Sequence, residues 1–522
     1  MTDKVSPERL IGILGHWAAG KGPLHTQLAS AIRRAIVDGA LPSQCVLPSQ
    51  RVMAQYLFVS RTTVLSAIEE LKSQRLLASR QGSGTHVATD RANRDPQLPR
   101  WSVGSFRSGR LLGQMSGRGS DTCIDLSIGY PDQPYGVTRA MEGLAERDLA
   151  MTVGWDGFSY GGLAELREAL AERLSADGIP TTSDQLLIAT SAQQSLWMIA
   201  GVFASRGGVI FVEDPTCSAS QDALLAREAN LIGIPIDEDG ISIEALERAL
   251  SRARPSFVFT TPIFNNPTGR SLSPARAHQL LELCASRDLP VVEDLALMGL
   301  GFDETRRHRS LASYDSNVSI VSFGTMSKLF WRGLRVGWIR AGRSFIQRLI
   351  AVKSPADSSA ASAMDQLVAA RLLESYDDAC TARANHLLPA AQMVMQAIGT
   401  FDPSWSCDPP QGGTSMWLRL PGADAMQFCQ VALRHGVELW PGPIFSPSGG
   451  HRDRLRLSLG RSWEETQEGL RRLRTAWTAF GVNPSGEGFD AEASVIPLGA
   501  RTSETLRGRR VVGHGATGVG RG

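Results

Sequence analysis

The chain has 522 residues, 42% of them hydrophobic and 20% charged, with a formal net charge of +2; that is ordinary globular composition and length enough for several domains and a large core. Seven cysteines without a CxxC pair argue against a zinc site or a disulfide framework. No run of about 18 uncharged apolar residues occurs, and the opening MTDKVSPERL lacks the apolar stretch of a secretory leader, so the expectation is a cytoplasmic protein with no membrane segment.

Residues 1–21 read as an N-terminal lead. Residues 1–89 hold ten Lys/Arg against five Asp/Glu, a local positive excess that points to an anionic partner. Within 22–89, Leu24, Leu28, Ile32 and Ile36 recur at spacing four and predict an amphipathic helix. LPSQRVMAQYL predicts a short helix after Pro48, with Ser49 as its cap. SRTTVLSAIEELKSQRLL predicts a third, with Ser60 as N-cap and Val64, Ile68 and Leu71 facing inward. Arg61, Thr62 and Thr63 are then exposed in its first turn, where a recognition helix meets base edges in the major groove. Arginine can read guanine there, and threonine a thymine methyl or a phosphate. LLASRQGSGTHVA predicts two short strands about a Gly-rich turn, a wing whose backbone and Arg80 can reach phosphate.

Three helices and a wing in this order, with LPSQR and SRTTV, resemble the winged helix-turn-helix domain of GntR-type regulators. The resemblance implies double-stranded DNA as a partner. It places Arg51, Ser60, Arg61, Thr63 and Gly84 at or near the DNA, beside Thr62. Residues 90–123 carry Arg, Gly, Ser and Pro without apolar periodicity and read as a linker, its arginines either solvated or touching phosphate.

Residues 124–482 alternate short apolar runs with amphipathic stretches. QLLIAT (185–190), VIFVED (209–214), FVFTTP (257–262), VVEDLA (291–296) and VSIVSFG (318–324) predict buried strands. LAELREALAERL (163–174) predicts a helix with Leu163, Leu166, Leu170 and Leu174 on one face. Strands alternating with helices predict a mostly parallel α/β/α sheet, and ligands in such sheets sit beyond the carboxyl ends of the strands. The tail, 483–522, has nine glycines and no sustained periodicity, and reads as disordered.

A lysine after a strand is usually a solvated charge. Around Lys328, however, stand TTPIFNNPTGRSLS with Asn266, VVEDLALMG with Asp294, TMSKLFWRGLR with Thr325 and Arg335, and ATSAQQSLW, a small-residue turn that opens a helix. Each suits a part of pyridoxal 5′-phosphate. Lys328 is the amine for its aldehyde. Asp294 is a carboxylate for the pyridine nitrogen, and Asn266 a donor to the ring hydroxyl. Ala192 and Gln193 offer helix N-terminal amides to the phosphate, with Arg335 and Thr325 as further partners. No metal site is expected.

NNPTG, the strand-end ED, TMSK with its downstream Arg335, and LRLSLG together resemble fold-type I aminotransferases, whose body includes a smaller C-terminal subdomain. The resemblance implies an internal aldimine on Lys328 and an α-carboxylate clamp at Arg456. It also aligns GWDGFSYGG (154–162) with a tyrosine-bearing loop that reaches the partner subunit, leaving open whether Trp155, Phe158 or Tyr160 serves. Two departures stand out: Ala296 and Leu297 where a tyrosine is usual, and Cys217 where a ring-stacking aromatic is usual. Such stacking is worth about 0.5–1.5 kcal/mol beyond its area, so turnover should suffer more than cofactor binding.

A GntR-type head on such a body resembles the MocR group of transcription regulators. The resemblance implies a cytoplasmic homodimer that senses a small amine or amino acid by external aldimine formation. The alternative is a competent pyridoxal-phosphate-dependent aminotransferase with an accessory DNA-binding head. A third reading makes the cofactor itself the effector.

Overall fold

The computed structural model describes residues 4–88, 123–144 and 159–482, apart from residues 16, 19–21, 38, 81–83, 131–132, 205, 304–307, 357–360, 403 and 421. Most of the linker expected at 90–123, the tail at 483–522, and Trp155 and Phe158 lie outside the described residues.

The head contains α1 (Pro7–Leu14), α2 (Leu24–Val37), α3 (Gln50–Leu57) and α4 (Arg61–Ser73), then the hairpin β1 (Leu77–Arg80) and β2 (Gly84–Val87). Ser6, Ser49 and Ser60 each cap a helix by accepting a backbone N–H in its first turn. Leu28, Ile32, Val64, Ile68 and Leu71 are fully buried together, as their spacing predicts. The segment expected to be a lead joins this core instead. Leu10, Ile11, Leu14 and Trp17 pack into it, and Val5 N donates to Val46 O at 3.0 Å.

The body begins with β3 (Ile124–Asp125), α5 (Val137–Glu142) and α6 (Ala164–Ala176). Leu163, Leu166, Leu170 and Leu174 are buried, one face of the predicted helix. A repeating pattern follows: β4 (Leu186–Ala189), α7 (Ala192–Phe203), β5 (Val209–Asp214), α8 (Ser218–Leu225), β6 (Asn230–Asp237), β7 (Gly240–Ile241), α9 (Ile243–Leu250), β8 (Val258–Thr260), α10 (Pro274–Ser286), β9 (Val291–Asp294), β10 (Ile320–Thr325) and β11 (Gly337–Arg340). The eight strands order as β4-β11-β10-β9-β8-β5-β6-β7. The run from β10 to β6 is parallel; β11 lies antiparallel between β10 and β4, and β7 is antiparallel at the other edge. Val291, Val292, Phe211, Val258 and Phe259 are fully buried, as a sheet covered on both faces requires.

The C-terminal part adds α11 (Arg343–Ala356), α12 (Ala363–Leu373), α13 (Tyr376–Phe401), α14 (Ala425–Arg434) and α15 (Trp463–Val482). A second, antiparallel sheet orders β12 (Ser406–Cys407), β13 (Ser415–Arg419), β16 (Arg454–Ser458) and β15 (Trp440–Pro441). Strand β14 (Val437–Glu438) pairs with β3 and ties the first residues of the body to this subdomain.

The head sits on that subdomain. Met426 of α14 belongs to the head's own hydrophobic cluster. Trp17 Nε1 donates to Gln430 Oε1 at 3.1 Å, Phe58 stacks on Phe480 at 4.9 Å, and Arg434 donates to Phe58 O at 2.8 Å. Arg452, just before β16, pairs with Asp424 and reaches Glu8 of α1 at 3.5 Å.

Candidate functional site

Strand β10 ends at Thr325, and the chain turns through Met326–Phe330, closed by Phe330 N donating to Met326 O at 3.0 Å. The turn carries Lys328 past the sheet end, half-buried. Its Nζ donates to Gly129 O at 2.5 Å and lies 3.6 Å from the centroid of the Tyr130 ring. Thr414 Oγ1 donates to the same carbonyl at 3.2 Å. A side-chain carbon on Gly129 would stand 3.0 Å from Thr414 Oγ1 and 3.7 Å from both Lys328 Nζ and Arg456 Nη1. Amine and guanidinium therefore face one small space, and the glycine keeps it open.

Arg456, on β16, is 4% exposed. Nη1 donates to Asn266 Oδ1 at 3.1 Å and Nη2 donates to Ser127 O. Its guanidinium carbon lies 4.8 Å from the Trp440 ring centroid and 5.1 Å from that of Phe445. The flat guanidinium is thus pinned by stacking and by acceptors, which pre-orients its fork for a carboxylate. Asn266 follows β8 in a loop whose shape is set by its neighbour: Asn265 Nδ2 donates to the buried Glu213 at 2.8 Å. On its other side, Asn266 Nδ2 lies 3.5 Å from Cys217 Sγ.

Asp294 ends β9, opposite Phe323 of β10. Ala296 N donates to its Oδ1 at 2.8 Å. Burial pushes its pKa from the ordinary 3.8 to about 6, against the Ala296 bond and the nearby Lys328 charge, with Glu213 pushing further up. A buried carboxylate of this kind is matched by a cationic ring nitrogen. The buried hydroxyl of Ser327 has no partner among the described residues, and an anionic oxygen would satisfy it. The donor set therefore fits pyridoxal phosphate: an amine, a carboxylate, an amide, and hydroxyl and amide donors for a phosphate.

The residues expected to hold a phosphate come together through strand register. Thr325 pairs with Gly337, and Gly337 with Ala189. Three residues after Ala189, Ala192 opens α7, capped by Ser191, which accepts Gln194 N at 3.1 Å. The Ala192 and Gln193 amides, in the first turn, have no intrahelical acceptor. Arg335 lies two residues before Gly337, exposed, at φ +51°. Thr325 Oγ1 already donates to Val336 O at 2.9 Å. The free hydroxyl donor of this motif is therefore Ser327.

On the head, Arg51, Arg61, Thr62 and Gly84 are exposed. Ser60 Oγ accepts Thr63 N at 3.0 Å and lies 2.7 and 2.8 Å from the Thr62 and Thr63 hydroxyls. The cap thus engages both threonines and leaves Arg61 as the unencumbered cation of the first turn. Gly84 opens the second wing strand at φ +83°, a conformation that favours glycine. Behind α4, Arg33 bonds Gln74 at 2.9 Å and Glu70 at 3.2 Å, fixing α2 to the recognition helix.

Sequence reasoning missed Gly129, Tyr130 and Thr414. The only signal was a glycine in the polar run LSIGYPD; its distance in sequence from Lys328 hid it. Asp294, Lys328 and Asn266 end or follow the neighbouring interior strands β9, β10 and β8, so the carboxyl end of the sheet gathers them, while Arg456 arrives from the second sheet.

The chain matches the family model described as aminotransferase class I and II over residues 121–473, and that of bacterial regulatory proteins of the gntR family over residues 24–87. It is 27% identical over 473 residues to an uncharacterized HTH-type transcriptional regulator, YdfD, of Bacillus subtilis, covering 87% of this chain and 96% of that one. It is 29% identical over 334 residues to a probable rhizopine catabolism regulatory protein, MocR, of Rhizobium meliloti, covering 61% of this chain and 65% of that one. The body resembles the crystal structure of LysN, an α-aminoadipate aminotransferase of Thermus thermophilus complexed with N-(5′-phosphopyridoxyl)-L-leucine, with TM-score 0.62, 27% identity, and coverage of 69% and 94%.

Proposed function

Because the chain belongs to the aminotransferase class I and II family and carries a gntR-type head, we propose that this transcriptional regulator uses its pyridoxal phosphate pocket as a sensor. The ligand class is a small amine bearing a carboxylate, and the output is DNA affinity. One observation carries the reading: Lys328 Nζ and Arg456 Nη1 flank the same glycine, each 3.7 Å from where a side-chain carbon on Gly129 would stand. That spacing suits the nitrogen and carboxylate of one amino acid.

When bound, the cofactor supplies an aldehyde that can exchange one amine for another. The protein's residues divide the remaining work. Lys328 holds the aldehyde end and is the group an incoming amine must displace. Arg456 takes the carboxylate on its stacked fork. Asp294 keeps a proton at the ring nitrogen, Asn266 orients the ring, and Ser327, Arg335 and the first turn of α7 anchor the phosphate. Once displaced, the free Lys328 amine has Gly129 O as its acceptor, the partner it has in this structure. Arg452, four residues before Arg456, touches α1 of the head, which gives the pocket strand a short route to the DNA-binding domain. Coupling then requires only that the ligand prefer one head arrangement over another.

We also take the working form to be a homodimer acting in the cytoplasm, since paired heads suit paired half-sites on DNA. Cys217, half-buried beside Asn266, and the Ala296–Leu297 pair after Asp294 supply neither the stacking ring nor the phenol of a fast transaminase. The competing reading, a working aminotransferase with an accessory head, is favoured by the intact Lys328 and Arg456.

Visible absorption of the purified protein, titrated with a panel of amino acids and followed by operator binding for each that shifts the spectrum, tests the proposal. Lys328→Ala should abolish the absorption and any borohydride-fixed adduct. Multiple turnovers with an amino donor and a keto acid at enzyme-like rates, without any effect on DNA binding, would overturn it in favour of the enzyme.

A further inference from the structure

Arg383 is an unexplained charge. It lies in α13 and is 7% exposed, and among the described residues it has no carboxylate partner. A buried guanidinium without a counter-ion is costly, so the groups that satisfy it must be worth the expense. Burial indeed pushes its pKa down.

Its hydrogen bonds all go to backbone carbonyls. Nε donates to Leu329 O at 2.7 Å, and Nη2 donates to Phe330 O at 3.0 Å and to Gln133 O at 3.0 Å. These carbonyls belong to two separate segments. Leu329 and Phe330 directly follow Lys328. Gln133 lies four positions after Gly129 in sequence. Phe330 O also accepts Tyr135 N at 3.0 Å, so the two segments are stitched at that point as well. On the far side of the same seam, Lys328 Nζ donates to Gly129 O.

The two segments meet at three points: at the reactive amine, at Arg383, and through the direct Tyr135 N–Phe330 O bond. Packing alone would be served by an uncharged side chain in α13. A planar fork that reaches three carbonyls at once fixes how far one backbone stands from the other, and lysine, a single flexible point charge, cannot do the same.

We propose that Arg383 is the positioning residue for Lys328, locking the Met326–Phe330 turn to the backbone at Gln133 so that the ε-amine is held beside Gly129. This rests on the reading of Lys328 as the cofactor-binding amine. When a ligand displaces that amine, the Arg383 end of the seam stays closed and returns Lys328 to the same place.

The test uses the full chain with Arg383→Met and Arg383→Lys. Four quantities are compared with the unmodified protein: affinity for added pyridoxal phosphate, the pH dependence of its visible band, thermal unfolding, and operator binding. Arg383→Met should weaken cofactor capture by about tenfold or more, the equivalent of one lost charge-assisted hydrogen bond. It should also move the midpoint of the pH profile while operator binding persists. Arg383→Lys should keep the fold and recover only part of the affinity. Should Arg383→Met fail to fold, the Arg383→Lys profile decides: a displaced midpoint at unchanged unfolding temperature supports the inference. An unchanged midpoint and affinity in every variant that folds would overturn it. If the unmodified protein itself forms no adduct at position 328, the sensor reading falls first and takes this inference with it.

Discussion

Replacing Asp294 by asparagine should push the cofactor-free protein and its hold on the cofactor in opposite directions. The side chain is 8% exposed, and its pKa rises from 3.8 to about 6 because burial penalises its charge. The folded state therefore keeps a proton that the unfolded chain gives up. Stability falls as pH climbs from about 4 to about 6, then stays level. The shift is about two pH units, which corresponds to roughly 2–3 kcal/mol at neutral pH. Asparagine has the same shape and can still accept from Ala296 N, but carries no charge to bury. Unfolding scans of cofactor-stripped protein should show Asp294→Asn matching the parent near pH 4 and exceeding it at pH 7.5. Affinity for pyridoxal phosphate moves the other way, because asparagine cannot balance a protonated ring nitrogen. The loss there should be about 1.5–3 kcal/mol, the worth of a hydrogen bond to a charged group. If the variant were less stable than the parent at every pH, or bound the cofactor equally well, the argument from burial would be wrong.

Other expectations are simpler. Arg61→Ala should weaken specific operator binding by about 1–3 kcal/mol without changing the melting of the head, measured by fluorescence anisotropy with operator and scrambled duplexes. Arg456→Gln should abolish spectral responses to amino acids but spare those to amines without a carboxylate, since only the former use its fork. Phe58→Ala removes a ring that is 2% exposed and stacked on Phe480; a cost of about 3–5 kcal/mol and faster proteolysis between head and body should follow.

The parts of this protein legible in the sequence were those with short-range signals. Serine caps at 49 and 60, the i, i+4 apolar spacing from Leu24 to Ile36, and the strand-end residues Asp294 and Lys328 are local patterns, and the structure places them accordingly. Strand β11 escaped notice because GWIR is short and sits beside the lysine motif. Antiparallel insertion of that strand between β10 and β4 is a long-range choice, yet it brings Thr325, Gly337 and Ala189 into one row. The contribution of residues 1–21 was missed because the helix there is only eight residues long and its partners lie on other helices of the head. Gly129 was invisible for a like reason, its neighbours being 199 and more residues distant.

One seam has a geometric consequence. Phe58 packs into the interior of the C-terminal subdomain, and Met426 of that subdomain packs into the interior of the DNA reader beside Trp17. Two such chains side by side would then hold their reading helices at a gauge set by packed side chains rather than by tether slack. Operators whose repeats are respaced by half a helical turn should be refused outright, whereas a loosely leashed reader would tolerate them.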